Sequence, residues 1–144
     1  MSAPAVPPIS TQLHLIAEQF PDDPAITCAG RTVTRAELES STNRLARAFA
    51  EHGVGQGDYV TITLPNSIEF LEAAIACWKL GAVPQPLPAR LPDAEFEAIL
   101  ALRPRALIVG RDDPRGETPS IRTTVSTRSG VGRNTSAPKR SMPR

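Results

Sequence analysis

The chain has 144 residues, of which 40% are hydrophobic and 22% charged, with a formal net charge of +1. This length gives one domain and excludes a large multi-domain enzyme, and the composition suits a folded globular protein rather than a disordered one. The total charge hides an asymmetry. Residues 1–110 carry eight Lys/Arg against twelve Asp/Glu, whereas residues 111–144 carry eight against three, so the two parts are interpreted separately.

The first predicted elements are a flexible lead and a helix. Residues 1–8 contain three prolines and form the lead. Ser10 or Thr11 is expected to cap the helix, whose apolar positions are Leu13, Ile16, Ala17 and Phe20. The prolines of PDDP at 21–24 end it, because proline cannot donate a backbone hydrogen bond and restricts the residue before it.

A hairpin and a second helix follow. Ala29-Gly30 is typical of a hairpin turn between strands at 25–28 and 31–33. Thr34 stands three residues before Glu37, a reciprocal capping box that predicts a helix start. The apolar face of this helix consists of Leu38, Thr42, Leu45 and Phe49. Gly53 ends it where a left-handed residue is required.

The segment GDYVTITLPNSIEFLEAAIACWKLGAVPQPL at 57–87 predicts a strand, a sharp turn, a helix and a second strand. The first strand is Tyr59–Leu64, and Asn66 with Glu69 repeats the capping pattern. The helix Ser67–Leu80 has charged residues only along one narrow stripe, so it must be buried against a sheet and a neighbouring helix. Trp78 is interpreted as a core residue of this helix.

Three further elements complete the predicted sheet. Ala82–Leu87 is extended, Pro92 or Asp93 opens a helix that runs to Leu102, and Ala106–Val109 is a continuous apolar run typical of a buried parallel strand. This alternation predicts right-handed βαβαβ connections and one sheet. The fold class is therefore α/β, with a partial doubly wound βαβαβ sheet in a domain at residues 9–110.

Residues 111–144 have a different composition. They contain ten Ser/Thr, eight Lys/Arg and only five hydrophobic residues. This apolar surface is too small to offset an ordering cost of roughly 1–2 kcal/mol per residue, which predicts a disordered basic tail. Nucleic-acid binding by the tail is the less favoured interpretation, because no aromatic residue is present among the arginines for base stacking.

No residue is assigned a catalytic, cofactor-binding or metal-binding role. The turn at Asn66 lacks the glycines that let a phosphate approach the backbone, so it is interpreted as scaffold. Gly53–Gly57 is spaced like part of a dinucleotide-binding glycine motif, but that motif follows a strand and this segment follows a helix. Thr135–Arg140 lacks the glycines of a phosphate-binding loop. His14 and His52 are expected to be solvated.

The cysteine pattern and the absence of targeting segments indicate a cytoplasmic protein. Cys28 and Cys77 have no metal or disulfide spacing and are interpreted as small buried hydrophobes. The N-terminus, MSAPAVPPIS, has no signal-peptide pattern. The longest uninterrupted apolar stretch, Ala73–Trp78, is much shorter than the roughly 20 residues that span a bilayer.

Residues 33–87 resemble the N-terminal part of AMP-forming acyl-CoA synthetases, which belong to the adenylate-forming superfamily. Val33–Leu38 matches the family's hydrophobic-Thr-Tyr-x-Glu-Leu motif with Arg35 in place of the usual Tyr, and Asn43–Ala46 matches its Asn-Arg-Leu-Ala. The remaining matches are the Gly57-Asp58 turn, Leu64–Ser67, which is typical of the acyl-CoA branch, and Lys79–Val83 with Pro86-Leu87. The resemblance covers about residues 9–110.

The resemblance implies ATP-dependent activation of a carboxylate as an acyl-adenylate, followed by transfer to a thiol, with ATP, Mg²⁺ and CoA in the intact family. It also implies a Gly/Ser/Thr loop with a lysine, adenine- and ribose-binding residues and a catalytic lysine, none of which this sequence contains. The chain is therefore interpreted as a truncated acyl-CoA synthetase, inactive alone and inclined to self-associate through exposed core surface.

Two other interpretations stay open. The first is a small non-enzymatic binding module whose basic tail contacts nucleic acid or a partner protein. The second is an origin in a peptide-synthetase adenylation domain, which the LPNS sequence at 64–67 favours less. For the tail itself, truncation or a shifted reading frame is the preferred explanation.

Overall fold

The computed structural model describes residues 5–88, 90–102 and 106–109, the last four as backbone only. In chain order the elements are α1 (Ile9–Gln19), β1 (Pro24–Cys28), β2 (Arg31–Thr34), α2 (Arg35–Glu51), β3 (Tyr59–Ile62), α3 (Ile68–Lys79), β4 (Val83–Pro86), α4 (Asp93–Ala101) and β5 (Ala106–Val109). The predictions for residues 111–144, including the Thr135–Arg140 motif, lie outside the described residues.

The central sheet of the described chain has three parallel strands in the order β4-β3-β5. Tyr59 at the start of β3 lies beside Val83 on one side and Ala106 on the other, which puts the three strands in register. The hairpin β1–β2 forms a separate antiparallel pair. The predicted α/β class and parallel βαβαβ segment are confirmed, with β3 ending at Ile62 instead of Leu64.

The core lies where α3 packs against β3 and α2. Residues 73–77 of α3 are buried, and Ala73, Ala76 and Cys77 have no exposed surface. Val60 and Ile62 of β3 and Phe49 of α2 complete the same hydrophobic cluster. The predicted burial of α3 against a sheet and a helix is therefore confirmed, and alanine at these positions lets the backbones approach closely.

Trp78 does not lie in this core. Its side chain is 39% exposed, and Leu71 on the same helix is equally exposed. The helix presents residues 73–77 to β3 and α2, so Trp78 faces α1 and the hairpin instead. The interpretation of Trp78 as a core residue is wrong because apolar character alone does not determine which side of an apolar helix is covered.

The helix ends follow local backbone chemistry. The predicted capping box is present, with the Glu37 N–H donating to Thr34 Oγ1 at 3.2 Å and the Thr34 N–H donating to Glu37 Oε2 at 2.8 Å. Gly53 and Gly81 have φ of 84° and 68° and follow α2 and α3. After α3, the Ala82 N–H donates to the Cys77 carbonyl at 2.9 Å and Gly81 to Trp78 at 3.2 Å, a Schellman ending.

Two predicted caps are wrong. Helix α1 begins one residue before Ser10, and Pro8 is its N-cap without a side-chain hydrogen bond. The Pro8 carbonyl already accepts the N–H groups of Thr11 and Gln12, at 3.0 and 3.1 Å. At α3 the cap is Ser67 instead of Asn66, because Ser67 Oγ accepts the Phe70 N–H at 3.2 Å.

A half-buried ion pair joins α2 to α3. Lys79 Nζ lies 2.7 Å from Glu39 Oε2, with the two side chains 11% and 16% exposed. Burial alone raises the pKa of the Glu39 carboxyl, but hydrogen bonds from Lys79 and Asn43 and the charge of Lys79 outweigh it, so this pKa lies below its ordinary value. None of the helices in the described part of the chain is long and apolar enough to cross a membrane.

We expect Thr34→Ala to lower the free energy of unfolding by about 1 kcal/mol, because it leaves the Glu37 N–H without its side-chain acceptor. Urea unfolding followed by circular dichroism measures this change. Ser40→Ala, at an exposed position inside the same helix, is the control and should change stability by only a few tenths of a kcal/mol. Equal effects of the two variants would contradict a stabilising role for the capping box.

We expect Lys79→Met to lower the free energy of unfolding by about 1–2 kcal/mol at neutral pH. This lies between the stability lost on breaking an exposed salt bridge and that lost on breaking a fully buried one. Because the pKa of Glu39 is lowered in the folded state, the stability linked to it is present above the ordinary carboxyl pKa and is lost as the pH falls through the lowered value. The cost of the substitution should therefore shrink below about pH 4. A cost independent of pH would contradict the pairing, and Arg47→Met, exposed on α2, is the control.

Candidate functional site

The N-terminus of α3 is the place where a strand–turn–helix unit could receive a phosphate. The free N–H groups of Phe70 and Glu69 already have a side-chain acceptor, and the Leu71 N–H makes the first bond of the helix itself. Ser67 Oγ accepts from Phe70 at 3.2 Å, and the Ser67 carbonyl accepts from Leu71 at 3.3 Å. The Glu69 carboxylate stands at the same end and pairs with Arg31 of the hairpin.

The charge of Glu69 makes this end unsuited to an anion. A hydrogen bond from its own backbone N–H, followed by hydrogen bonds and charge from Arg31, lowers the pKa of Glu69, while burial opposes this shift. The carboxylate is therefore ionised at neutral pH and occupies the positive end of the helix. The turn also has no glycine, so the geometry favours a structural turn.

The cysteines and histidines of the described residues are not arranged for catalysis. Cys77 is fully buried, and burial raises the pKa of its thiol to about 12, which makes it a poor nucleophile. Cys28 is half-buried and its Sγ lies 3.9 Å from the Asn66 carbonyl. His14 and His52 are exposed on α1 and at the end of α2, as predicted. No group of three His, Cys, Asp or Glu residues fit for a metal ion occurs in the described chain.

An apolar groove lies between α1, the hairpin, α2 and α3. Its volume is about 350 Å³, within the usual range of small-ligand pockets. Most of its wall is aliphatic or aromatic, from Leu13, Ile16, Ile26, Leu71, Ile75 and Trp78. The sequence does not predict this groove, because its lining residues come from four separate elements whose relative placement has no local sequence signal.

Two charged residues also line the groove. Glu39 is held by Lys79 at 2.7 Å, by Asn43 at 3.0 Å and by His14 at 3.2 Å. Arg35 lies with its guanidinium carbon 5.6 Å from the centre of the Phe20 ring, and its nearest carboxylate oxygen, on Asp23, is 3.9 Å away. Arg35 is the position at which the sequence departs from the family motif described above.

The chain matches the family model of AMP-binding enzymes over residues 13–141. Among characterised relatives, it is 29% identical to surfactin synthase subunit 3 of Bacillus subtilis over 74% of this chain and 8% of that protein. It is 37% identical to 3-hydroxybenzoate–CoA/4-hydroxybenzoate–CoA ligase of Thauera aromatica, over 53% of this chain and 14% of the ligase. A fatty acid–[acyl-carrier-protein] ligase of Streptomyces coeruleorubidus is 35% identical over 63% of this chain and 17% of its own.

Solved structures of a fatty acyl CoA synthetase and of an NpsA subdomain have a fold similar to that of this chain. A fatty acyl CoA synthetase of Mycobacterium tuberculosis superposes with a TM-score of 0.64 and 29% identity, over 69% of this chain and 20% of that one. The N-terminal subdomain of Klebsiella oxytoca NpsA superposes with a TM-score of 0.61 and 26% identity, over 67% of this chain and 25% of that one.

The chain thus spans less than a fifth of the length of each of these three characterised relatives. The family match extends past residue 110, into the segment predicted as a disordered tail. The chain belongs to the AMP-binding enzyme family, and its described residues resemble the N-terminal subdomain of adenylate-forming enzymes.

Proposed function

We propose that this chain forms the first α/β layer of an ATP-dependent ligase that activates a carboxylate as an acyl-adenylate and transfers the acyl group to a thiol. The family match over residues 13–141 carries this proposal. The overall fold supports it, because a fatty acyl CoA synthetase of 29% identity superposes on 69% of this chain with a TM-score of 0.64.

We favour the acyl-CoA branch of the family and a fatty or aromatic carboxylate as substrate. Leu64–Ser67 has the LPNS sequence typical of that branch, and two relatives are named as ligases that join such acids to CoA or to an acyl-carrier protein. An amino-acid-activating adenylation domain is the second candidate, supported by the 107-residue match to surfactin synthase subunit 3.

The described residues contribute structure and not reacting groups to this proposed activity. ATP and Mg²⁺ require a loop rich in backbone N–H groups and oxygen ligands. At the α3 N-terminus the N–H groups of Phe70 and Glu69 are taken by the side chains of Ser67 and Glu69, and the described residues hold no group of three residues fit for a metal ion. The described residues do not fit these groups, so contacts to ATP, Mg²⁺ and CoA would have to come from other residues.

We also propose a cytoplasmic location and self-association of the chain. Cys28 and Cys77 are free thiols, as is usual in a reducing compartment. Leu71, Trp78 and Ile16 leave apolar surface exposed on one side of the described residues, and such surface favours association.

We expect the 144-residue chain to form no acyl-adenylate, because its sequence lacks the phosphate loop and the catalytic lysine of the family. The measurement is pyrophosphate release in the presence of ATP, Mg²⁺ and octanoate, benzoate or an amino-acid mixture. Release that requires both ATP and a carboxylate, above a mock preparation, would contradict the scaffold role.

We expect residues 13–109 to replace the matching segment of the Mycobacterium tuberculosis fatty acyl CoA synthetase with retention of adenylation. The two chains superpose over 69% of this chain with a TM-score of 0.64, so we expect the replacement to keep the backbone of the segment. Exchange of pyrophosphate into ATP, dependent on a fatty acid, measures the activity. We expect a reduced rate, since the contacts between segment and host are not matched.

Two variants of this chimera make the test specific. Ala76→Gln places a larger polar side chain in a fully buried position and should abolish folding and exchange together. Ala50→Gln makes the same change at an exposed position of α2 and should be tolerated. A folded chimera without exchange would show that the segment is not equivalent to the family's first layer.

A further inference from the structure

The groove between α1, the hairpin, α2 and α3 has the properties of a ligand site. It is concave and enclosed by four elements, and its volume of about 350 Å³ suits a small molecule better than a docking helix, which requires a long row of anchoring pockets. Its walls are mainly apolar, so transfer of an apolar tail from water into the groove is favourable. The buried hydroxyl of Thr42, which also lines it, donates to the Leu38 carbonyl at 2.7 Å and needs no ligand.

The charges around the groove select the sign of the ligand. Glu39 is compensated by Lys79, Asn43 and His14, with contacts of 2.7–3.2 Å. Arg35 has a looser partner, because Asp23 Oδ2 at 3.9 Å lies beyond hydrogen-bond distance. The Arg35 side chain is 31% exposed and is oriented by Phe20. A guanidinium in this setting is suited to pair with a planar oxyanion.

We propose that this groove binds a small amphipathic anion, with its apolar tail against Leu71 and Trp78 and its carboxylate head on Arg35. The binding activity goes beyond the proposed ligase function and does not depend on ATP. It is tested on the full 144-residue chain.

Trp78 provides a direct signal for the test. It is the chain's single tryptophan and it lines the groove, so an entering apolar tail should move its fluorescence to shorter wavelength. The probes are octanoate, octanol and octylammonium, which share a tail and differ in charge, at concentrations below those at which they aggregate. We expect saturable binding of octanoate, about tenfold tighter than octanol, with octylammonium weakest.

Substitutions separate the head contact from the tail contact. Arg35→Gln should remove the tenfold preference for octanoate over octanol, equal to about 1.4 kcal/mol, whereas Arg35→Lys should retain part of it. Arg44→Gln, exposed on the same helix, is the matched control and should leave both affinities unchanged. Leu71→Asn should weaken octanoate and octanol alike.

A measurement on the unsubstituted chain covers the case in which Arg35→Gln does not fold. Raising the ionic strength should weaken octanoate binding and leave octanol binding unchanged, since only the first involves a charge pair. Equal affinities for octanoate and octanol, no response of Trp78 to octanoate, or a folded Arg35→Gln chain with full preference for octanoate would each overturn the proposal.

Discussion

The close packing of α3 on β3 is the interaction on which the rest of the described structure depends. Ala73, Ala76 and Cys77 present a surface of small side chains to Val60 and Ile62, and all five are without exposed surface. Because β3 pairs with both β4 and β5, a helix held on β3 stands over the middle of the sheet. The chain then passes directly from α3 into β4. Two backbone hydrogen bonds hold this connection: the Gly57 N–H donates to the Gly81 carbonyl at 2.9 Å, and the Val83 N–H donates to the Asp58 carbonyl at 2.8 Å.

This arrangement also explains the unequal surroundings of α3. Its three charged residues each have a partner on a neighbouring element, Glu69 with Arg31, Glu72 with Ser41 and Lys79 with Glu39. Its small residues face the sheet and α2. The remaining side carries the larger apolar residues Leu71 and Trp78, which meet α1 and the hairpin across a groove instead of a filled core. A helix that is apolar on most sides thus contributes to both a core and an open surface.

The elements could be predicted from sequence because their signals are local. The Thr34–Glu37 capping box and the glycines after α2 and α3 act within a few residues of the chain, and the structure has them where the pattern requires. The Glu39–Lys79 pair joins residues 40 positions apart and has no sequence signature. The exposure of Trp78 likewise depends on where α1 and the hairpin lie. Prediction therefore fails for features that depend on the relative placement of elements, and among the local features it misplaces the N-caps of α1 and α3.

The same distinction bears on what the family resemblance means. In the described residues the motifs that carry it build structure: Thr34 and Glu37 cap α2, the Asp58 carboxylate accepts the Gly55 N–H at 2.8 Å in the turn before β3, and Gly81 ends α3. None of these groups needs to touch a substrate in order to account for its residue type. Membership of the family and the fold of the described residues thus rest on folding signals, which carry no information about a substrate. Arg35 is not part of the capping box, which forms between Thr34 and Glu37, and its side chain instead lines the groove, with the guanidinium over the Phe20 ring and 3.9 Å from Asp23.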